Sequence, residues 1–157
     1  MLMTEKPQGD VMSRGYCGIG VLNMKTEINY GTLFRSAYAF GVDFIFLIGK
    51  RFKKQTSDTT QAHKHLPLFE YLTFEDFYNH IPYDCQLVSV EICEKAEPIR
   101  IFAHPERAIY LLGKEDGSLP NDVVEKSRSV IKIPTAYCLN VAVAGSIVLY
   151  DRFNKLK

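Results

Sequence analysis

Arg35 stands four residues after Gly31 in the run Asn29-Tyr30-Gly31-Thr32-Leu33-Phe34-Arg35. On a helix that spacing puts both residues on one face, so the glycine leaves the face open and the guanidinium reaches over it. Arginine is a poor base, since its pKa lies above ~12, but it clamps a phosphate or carboxylate bidentately and supplies a fixed positive charge. The plainer role for Arg35 is an ion pair with a carboxylate such as Glu115 or Asp151. Asn29, at or just before the helix start, is of a type that caps helices. A second run, Gly113-Lys114-Glu115-Asp116-Gly117-Ser118-Leu119-Pro120, follows directly on the apolar stretch 108–112. A glycine straight after a buried strand lets backbone approach a ligand closely. The plainer reading is a strand-to-helix turn, with Gly117 at positive φ and Pro120 opening a helix. A third run, 131–144, passes through Pro134 and an irregular turn into a helix at Leu139 or Asn140. Asn140 suits the N-cap there, and an Asn at a strand end before a sunken helix suggests a ligand-binding turn.

The elements that must position these runs follow from apolar patterning. Strands are expected over 16–22, 44–48, 87–90, 108–112 and 130–133, with a shorter one over 68–71. Thr26 or Glu27 precedes a helix running to about Phe40, where Gly41 stops it. Thr73-Phe74-Glu75-Asp76 opens another with a variant of the capping box, ending near His80. Residues 98–103 form a helical turn, and a short helix follows Pro120. The last helix, to about Phe153, is apolar on nearly every side over 139–149, which implies burial on several faces. Continuous apolar strands alternating with helices indicate an α/β fold, a largely parallel sheet covered on both faces, with ligands at the C-terminal ends of the strands.

A length of 157 residues suits one domain, expected over 15–157 after a flexible polar tail at 1–14. Hydrophobic residues are 46% and charged residues 24% of the chain, as in ordinary globular proteins. No apolar run reaches the length of a membrane span, and the N-terminus has no signal-peptide core. Cys17, Cys85, Cys93 and Cys138 show no CxxC spacing and read as free thiols in a reducing cytoplasm. His63 and His65 lack a third ligand at metal spacing. The net charge of +1 does not announce nucleic acid, yet Lys50, Arg51, Lys53 and Lys54 cluster ahead of His63, Lys64 and His65. Lys126, Arg128 and Lys132 form a looser group. Such clusters are solvated loop charge or, beside an RNA site, phosphate contacts.

Taken together and in order, the three runs resemble the three motifs of SPOUT-class RNA methyltransferases, in the SpoU (TrmH-like) branch, over roughly residues 15–153. The resemblance implies a C-terminal deep trefoil knot. It implies S-adenosylmethionine as methyl donor and no metal, with the adenosine held by Val90, Leu112, Gly113 and Gly117 on one wall. Ile133, Cys138, Leu139 and Ala142 would form the other wall. It assigns catalysis to Arg35, with Asn29 and Glu115, acting on a ribose 2′-hydroxyl of tRNA or rRNA. Arg51, Lys53, Lys54 and Lys64 become RNA contacts, and the last helix becomes the interface of a cytoplasmic homodimer. The chain departs from the family pattern in three places. Ser118 replaces a second glycine, with Gly117 one residue early; Cys138 stands for a serine; Ala142 lacks the usual hydroxyl.

These departures support one rival, a non-catalytic RNA-binding protein that kept the fold; Asn29, Arg35 and Glu115 argue against it. A nucleotide-binding oxidoreductase is disfavoured, because Gly15, Gly18 and Gly20 lie within the first strand and form no GxGxxG turn after it.

Overall fold

Gly18 and Gly20 lie on β1 (Tyr16–Leu22), and two rings of the neighbouring β2 (Phe44–Ile48) occupy the space their side chains would need. A Cβ on Gly18 would stand 2.1 Å from the Phe44 ring, and one on Gly20 would stand 2.5 Å from the Phe46 ring. These glycines therefore serve sheet packing. The computed structural model of the chain describes residues 15–115 and 117–156; the tail expected over 1–14 lies outside the described residues.

The remaining elements are α1 (Glu27–Ala39), β3 (Leu68–Tyr71), α2 (Phe74–Asn79), β4 (Gln86–Val90), β5 (Glu97–Pro98), β6 (Arg107–Leu112), α3 (Asn121–Lys126), β7 (Ser129–Lys132) and α4 (Val141–Lys155). The seven strands form one sheet in the order β3-β2-β1-β6-β4-β7-β5. Every pairing is parallel, so all strand C-termini emerge along one edge. The two-residue β5 is too short to carry an apolar pattern, and sequence reasoning missed it. The turn expected after it is a 3-10 turn at Ile99–Ile101.

Strand alternation sorts the core into two clusters. Ile19, Val21, Ile45, Leu47, Tyr110 and Leu112 pack with Leu33 and Phe34 of α1 and Val148 and Leu149 of α4. Phe44, Phe46, Ile109 and Leu111 pack with Phe74 and Phe77 of α2 and Val123 of α3. Thr73 caps α2 as expected, its hydroxyl accepting from Asp76 N at 3.1 Å. Gly41 takes φ +70° after α1, where Val42 N closes the helix end onto Ala37 O at 3.1 Å.

The last helix is less uniformly sunken than its composition suggests. Val148 has no exposed surface, whereas Val143 is 47% and Tyr150 59% exposed. With Phe40 and Ile147, these two line a shallow apolar groove. The helix's final turns hold the segment before β6. Arg152 donates to the carbonyls of Pro105 and Glu106. Lys155 donates to those of Ile99, Arg100 and Phe102. Between them His104, buried, meets Asp151 at 2.7 Å through Nε2 and the Tyr110 hydroxyl at 2.6 Å through Nδ1. Asp151 also pairs with Lys155 at 2.8 Å, so it is not the partner of Arg35.

Candidate active site

At the edge where the strands end, a cleft opens between the loops after β4, β6 and β7. Val90 and Leu112 end their strands at its floor. Gly113, Glu115 and Gly117 line it from the loop after β6, and Ile133, Cys138 and Leu139 from the loop after β7. Seven of the eight residues expected to hold a cofactor thus converge here.

Ala142 is the exception. It is buried and borders the apolar groove on the other side of α4, while Val141 and Ala144 line the cleft. The helix starts at Val141, two residues later than the earliest expectation, and residues 141 and 144, three apart, share the face that 142 turns away from. Sequence reasoning also missed Glu91, Lys114, Lys132 and Thr135 on the lining. Glu91 follows β4 directly, and that position at a strand C-terminus was the available signal. Its carboxylate accepts from Leu119 N at 2.6 Å, which ties the loop after β4 to the loop after β6.

Gly113 is packed closely: a Cβ there would lie 3.1 Å from Leu119 Cδ2. Gly117 lies beside the Lys114 side chain, whose Cε would stand 2.5 Å from an added Cβ, a contact the flexible lysine can relieve by moving.

One wall of the site is joined to α1 by a chain of side-chain hydrogen bonds. Glu115 accepts from Asn29 Nδ2 at 2.8 Å and from the backbone N–H groups of Lys25 at 3.1 Å and Thr26 at 3.2 Å. Asn29 Oδ1 in turn accepts from Asn140 Nδ2 at 2.9 Å. Asn140 Oδ1 accepts from Ala142 N at 2.9 Å and Val143 N at 3.3 Å, capping α4. Asn29 is accordingly not a cap: α1 begins at Glu27, with Thr26 in the cap position. Burial works against ionisation of Glu115, but the Asn29 amide and the backbone donors outweigh it and hold the carboxyl below its ordinary range. Glu115 is therefore an ionised acceptor at neutral pH and committed to Asn29, which removes it too as a partner for Arg35.

Arg35 lies on the exposed side of α1, and among the described residues its side chain has no hydrogen bond or ion pair. Gly31 is not an open face beneath it. Gly31 is buried under the loop after β2, where a Cβ would lie 2.4 Å from Ser57 Oγ and 2.6 Å from Gln55 Cβ. The glycine lets that basic loop seat on α1. The Tyr30 hydroxyl fixes the same loop, accepting from Lys53 N at 2.8 Å and donating to Lys53 O at 2.9 Å.

Arg51, Lys53, Lys54 and Lys64 are all exposed. Because the sheet is parallel, their loop leaves β2 on the cleft's edge of the sheet. Lys53 is partly neutralised by Glu27 at 3.1 Å. Among the described residues no group of three or more His, Cys, Asp or Glu could hold a metal ion, no helix is long and apolar enough to cross a membrane, and the four cysteines are unpaired.

Residues 18–150 match the SpoU rRNA Methylase family. No curated protein sequence matches the chain. Among solved structures, an AdoMet-bound rRNA methyltransferase from Sinorhizobium meliloti superposes with TM-score 0.78 at 23% identity, over 91% of this chain and 57% of that one. The TrmH/SpoU tRNA modifying enzyme of A. aeolicus superposes with TM-score 0.79 at 22% identity, over 92% and 77%. A protein described for 2-OH methylation of C/U34 on tRNA superposes with TM-score 0.72 at 22% identity, over 91% and 97%. The chain spans between about half and nearly all of the length of these structures.

Proposed function

The chain belongs to the SpoU rRNA methylase family, and from that membership and the cleft we propose that it is an S-adenosylmethionine-dependent RNA methyltransferase acting on a ribose 2′-hydroxyl of tRNA or rRNA. The observation that carries this reading is the Glu115–Asn29–Asn140 chain, which draws three distant sequence runs together at the rim of one cleft. A plain strand-to-helix turn needs no such convergence.

The residues present suit the donor. The cleft offers aliphatic side chains from Val90, Leu112, Ile133 and Leu139 for the faces of an adenine, and loop backbone at Gly113, Gly117 and Cys138 for its polar edge. When bound, S-adenosylmethionine supplies a methyl group activated by a sulfonium. Glu115, kept ionised and held by three donors, fixes the start of α1 against the loop after β6. Asn140 fixes the loop after β7 to the same point, so the two walls keep their spacing. Arg35, uncommitted on the exposed side of α1, clamps an RNA phosphate and stabilises charge developing on the hydroxyl oxygen. The hydroxyl proton passes to a phosphate oxygen of the RNA. Orientation of the attacking oxygen is the larger part of the contribution. The basic loop at Arg51, Lys53, Lys54 and Lys64 holds the RNA backbone along the same edge.

The remaining family traits belong to this reading. Residues 15–157 act as one domain, the sheet is covered on both faces, and the last strand, loop and helix form a trefoil knot. The placement of β7 between β4 and β5 supports the knot. The protein works in the cytoplasm as a homodimer through the exposed apolar stripe of α4. Val143, Ile147 and Tyr150 form that stripe; Val148 belongs to the core.

The rival, an RNA-binding protein without activity, draws on the missing hydroxyl at Cys138. Its second support is weaker, because Ala142 faces away from the cleft. Calorimetric titration with S-adenosylmethionine separates the two: the enzyme reading requires one saturable site per chain, and absence of binding leaves only the rival.

A further inference from the structure

We propose that Tyr137 is the surface on which the base of the target RNA nucleotide stacks. The inference rests on the methyltransferase reading and adds to it the place where the substrate's base is received.

Tyr137 is 86% exposed, an unusual position for a ring with a large apolar surface. Thr135 and Cys138 on either side of it both line the cleft, so the backbone that carries the ring runs along the cleft's rim. The backbone beneath it is pinned. Thr135 Oγ1 donates to the carbonyl oxygen of Tyr137 at 2.7 Å. Three residues on, Asn140 is held by Asn29 and by the first turn of α4. A turn closed on itself at Thr135 and anchored at Asn140 presents the side chain outward, and among the described residues the ring meets no other ring and its hydroxyl makes no hydrogen bond.

A ribose hydroxyl brought to the mouth of the cleft carries its base along, one glycosidic bond away. That base needs a flat apolar surface outside the cleft, because the lining residues serve the methyl donor. Every base has such a face, so stacking on an aromatic side chain holds a nucleotide without selecting its identity. Cations in the basic loop contact phosphates; Tyr137 contacts the base. Tyr83 provides the contrast. It is 92% exposed but precedes β4, on the edge where strands begin, away from the cleft.

The chain contains no tryptophan, so Tyr137→Trp introduces a single indole at the site in question. Fragmented total RNA added to that variant is expected to quench its fluorescence, and Tyr137→Ala is expected to bind the same RNA roughly tenfold or more weakly. Tyr137→Phe keeps wild-type affinity, Tyr137→Leu falls with the alanine variant, and Tyr83→Ala changes nothing. S-adenosylmethionine affinity stays level throughout. Unaltered RNA binding by Tyr137→Ala overturns the proposal, as does equal binding by the Leu and Phe variants or an unquenched indole. A shift of Tyr137→Ala from dimer to monomer in light scattering also overturns it, since the ring then belongs to a contact between copies. A wild-type chain that binds neither S-adenosylmethionine nor RNA defeats the methyltransferase reading itself, and this inference with it.

Discussion

The side-chain amide of Asn140 donates to Asn29 Oδ1 at 2.9 Å across 111 positions of sequence. The same Asn140 caps α4 through its oxygen, so its two ends have separable duties. Asn140→Asp keeps the cap acceptor and loses the donor. Asn140→Ala loses both. The alanine variant is expected to lose about 1 kcal/mol of stability in urea denaturation. The aspartate variant keeps stability yet loses methyl transfer, because the loop after β7 is no longer fixed to α1. Equal activity in the aspartate variant would remove the link from the mechanism.

Glu115 makes the neighbouring link pH-dependent. Its folded carboxyl sits below the ordinary value of 4.5, so at pH between the two the unfolded chain binds the extra proton. The stability it contributes is therefore fully present above about 4.5 and is lost as pH falls through the lower folded value. Glu115→Gln should be less stable than wild type at pH 7, and the gap should close in acid. A gap that is the same at pH 7 and at pH 3 contradicts the ion's role.

His104 gives a second pH signature in a nearer range. Burial is the chief cause of its lowered pKa, and the Asp151 bond only partly offsets it. The unfolded chain then takes up a proton at His104 at a pH where the folded chain does not. Stability is held above the ordinary value of 6.5 and falls as pH drops from there through the folded value. His104→Gln should flatten thermal stability between pH 7 and pH 5 relative to wild type. An equally steep decline in the variant assigns it to other groups.

Charge substitutions on α4 separate core from interface. Val148→Glu buries a carboxylate without a partner and should yield an unfolded or aggregated chain. Ile147→Glu, on the half-exposed stripe, should give a folded monomer with the circular dichroism of the wild type and no activity. If Ile147→Glu stays a folded, active dimer, α4 is not the interface.

Substituting Lys53 and Lys54 together by Ala should weaken RNA binding without changing S-adenosylmethionine affinity. The slope of log K against log salt should flatten by roughly 1–2, the lower figure reflecting how far Glu27 already neutralises Lys53. An unchanged slope returns the loop to ordinary solvated charge.

Much of this arrangement is legible in the chain. Strands such as Phe44–Ile48, apolar at every residue, can only be buried on both sides, and the caps at Thr73, Gly41 and Asn140 read correctly because cap chemistry is local. What failed was non-local. Gly31 looked like an open face, but the loop that covers it comes from beyond β2. Ala142 looked like a cofactor contact, but the helix starts at Val141, one to two residues after the expected start, and Ala142 falls on its other side. The His104–Asp151–Tyr110 cluster carries no local signal, since its members are polar residues on three separate elements. Asn29 was read as a cap because its partners, Glu115 and Asn140, lie 86 and 111 residues away.

Methyl transfer to a ribose is tested by incubating purified protein with total RNA and S-adenosylmethionine carrying a deuterated methyl group, followed by nucleoside mass spectrometry. Labelled 2′-O-methyl nucleosides are expected, and they disappear with Arg35→Ala while that variant binds S-adenosylmethionine as wild type does. Label on a base, undiminished label in Arg35→Ala, or no label from a protein that binds both donor and RNA contradicts this expectation.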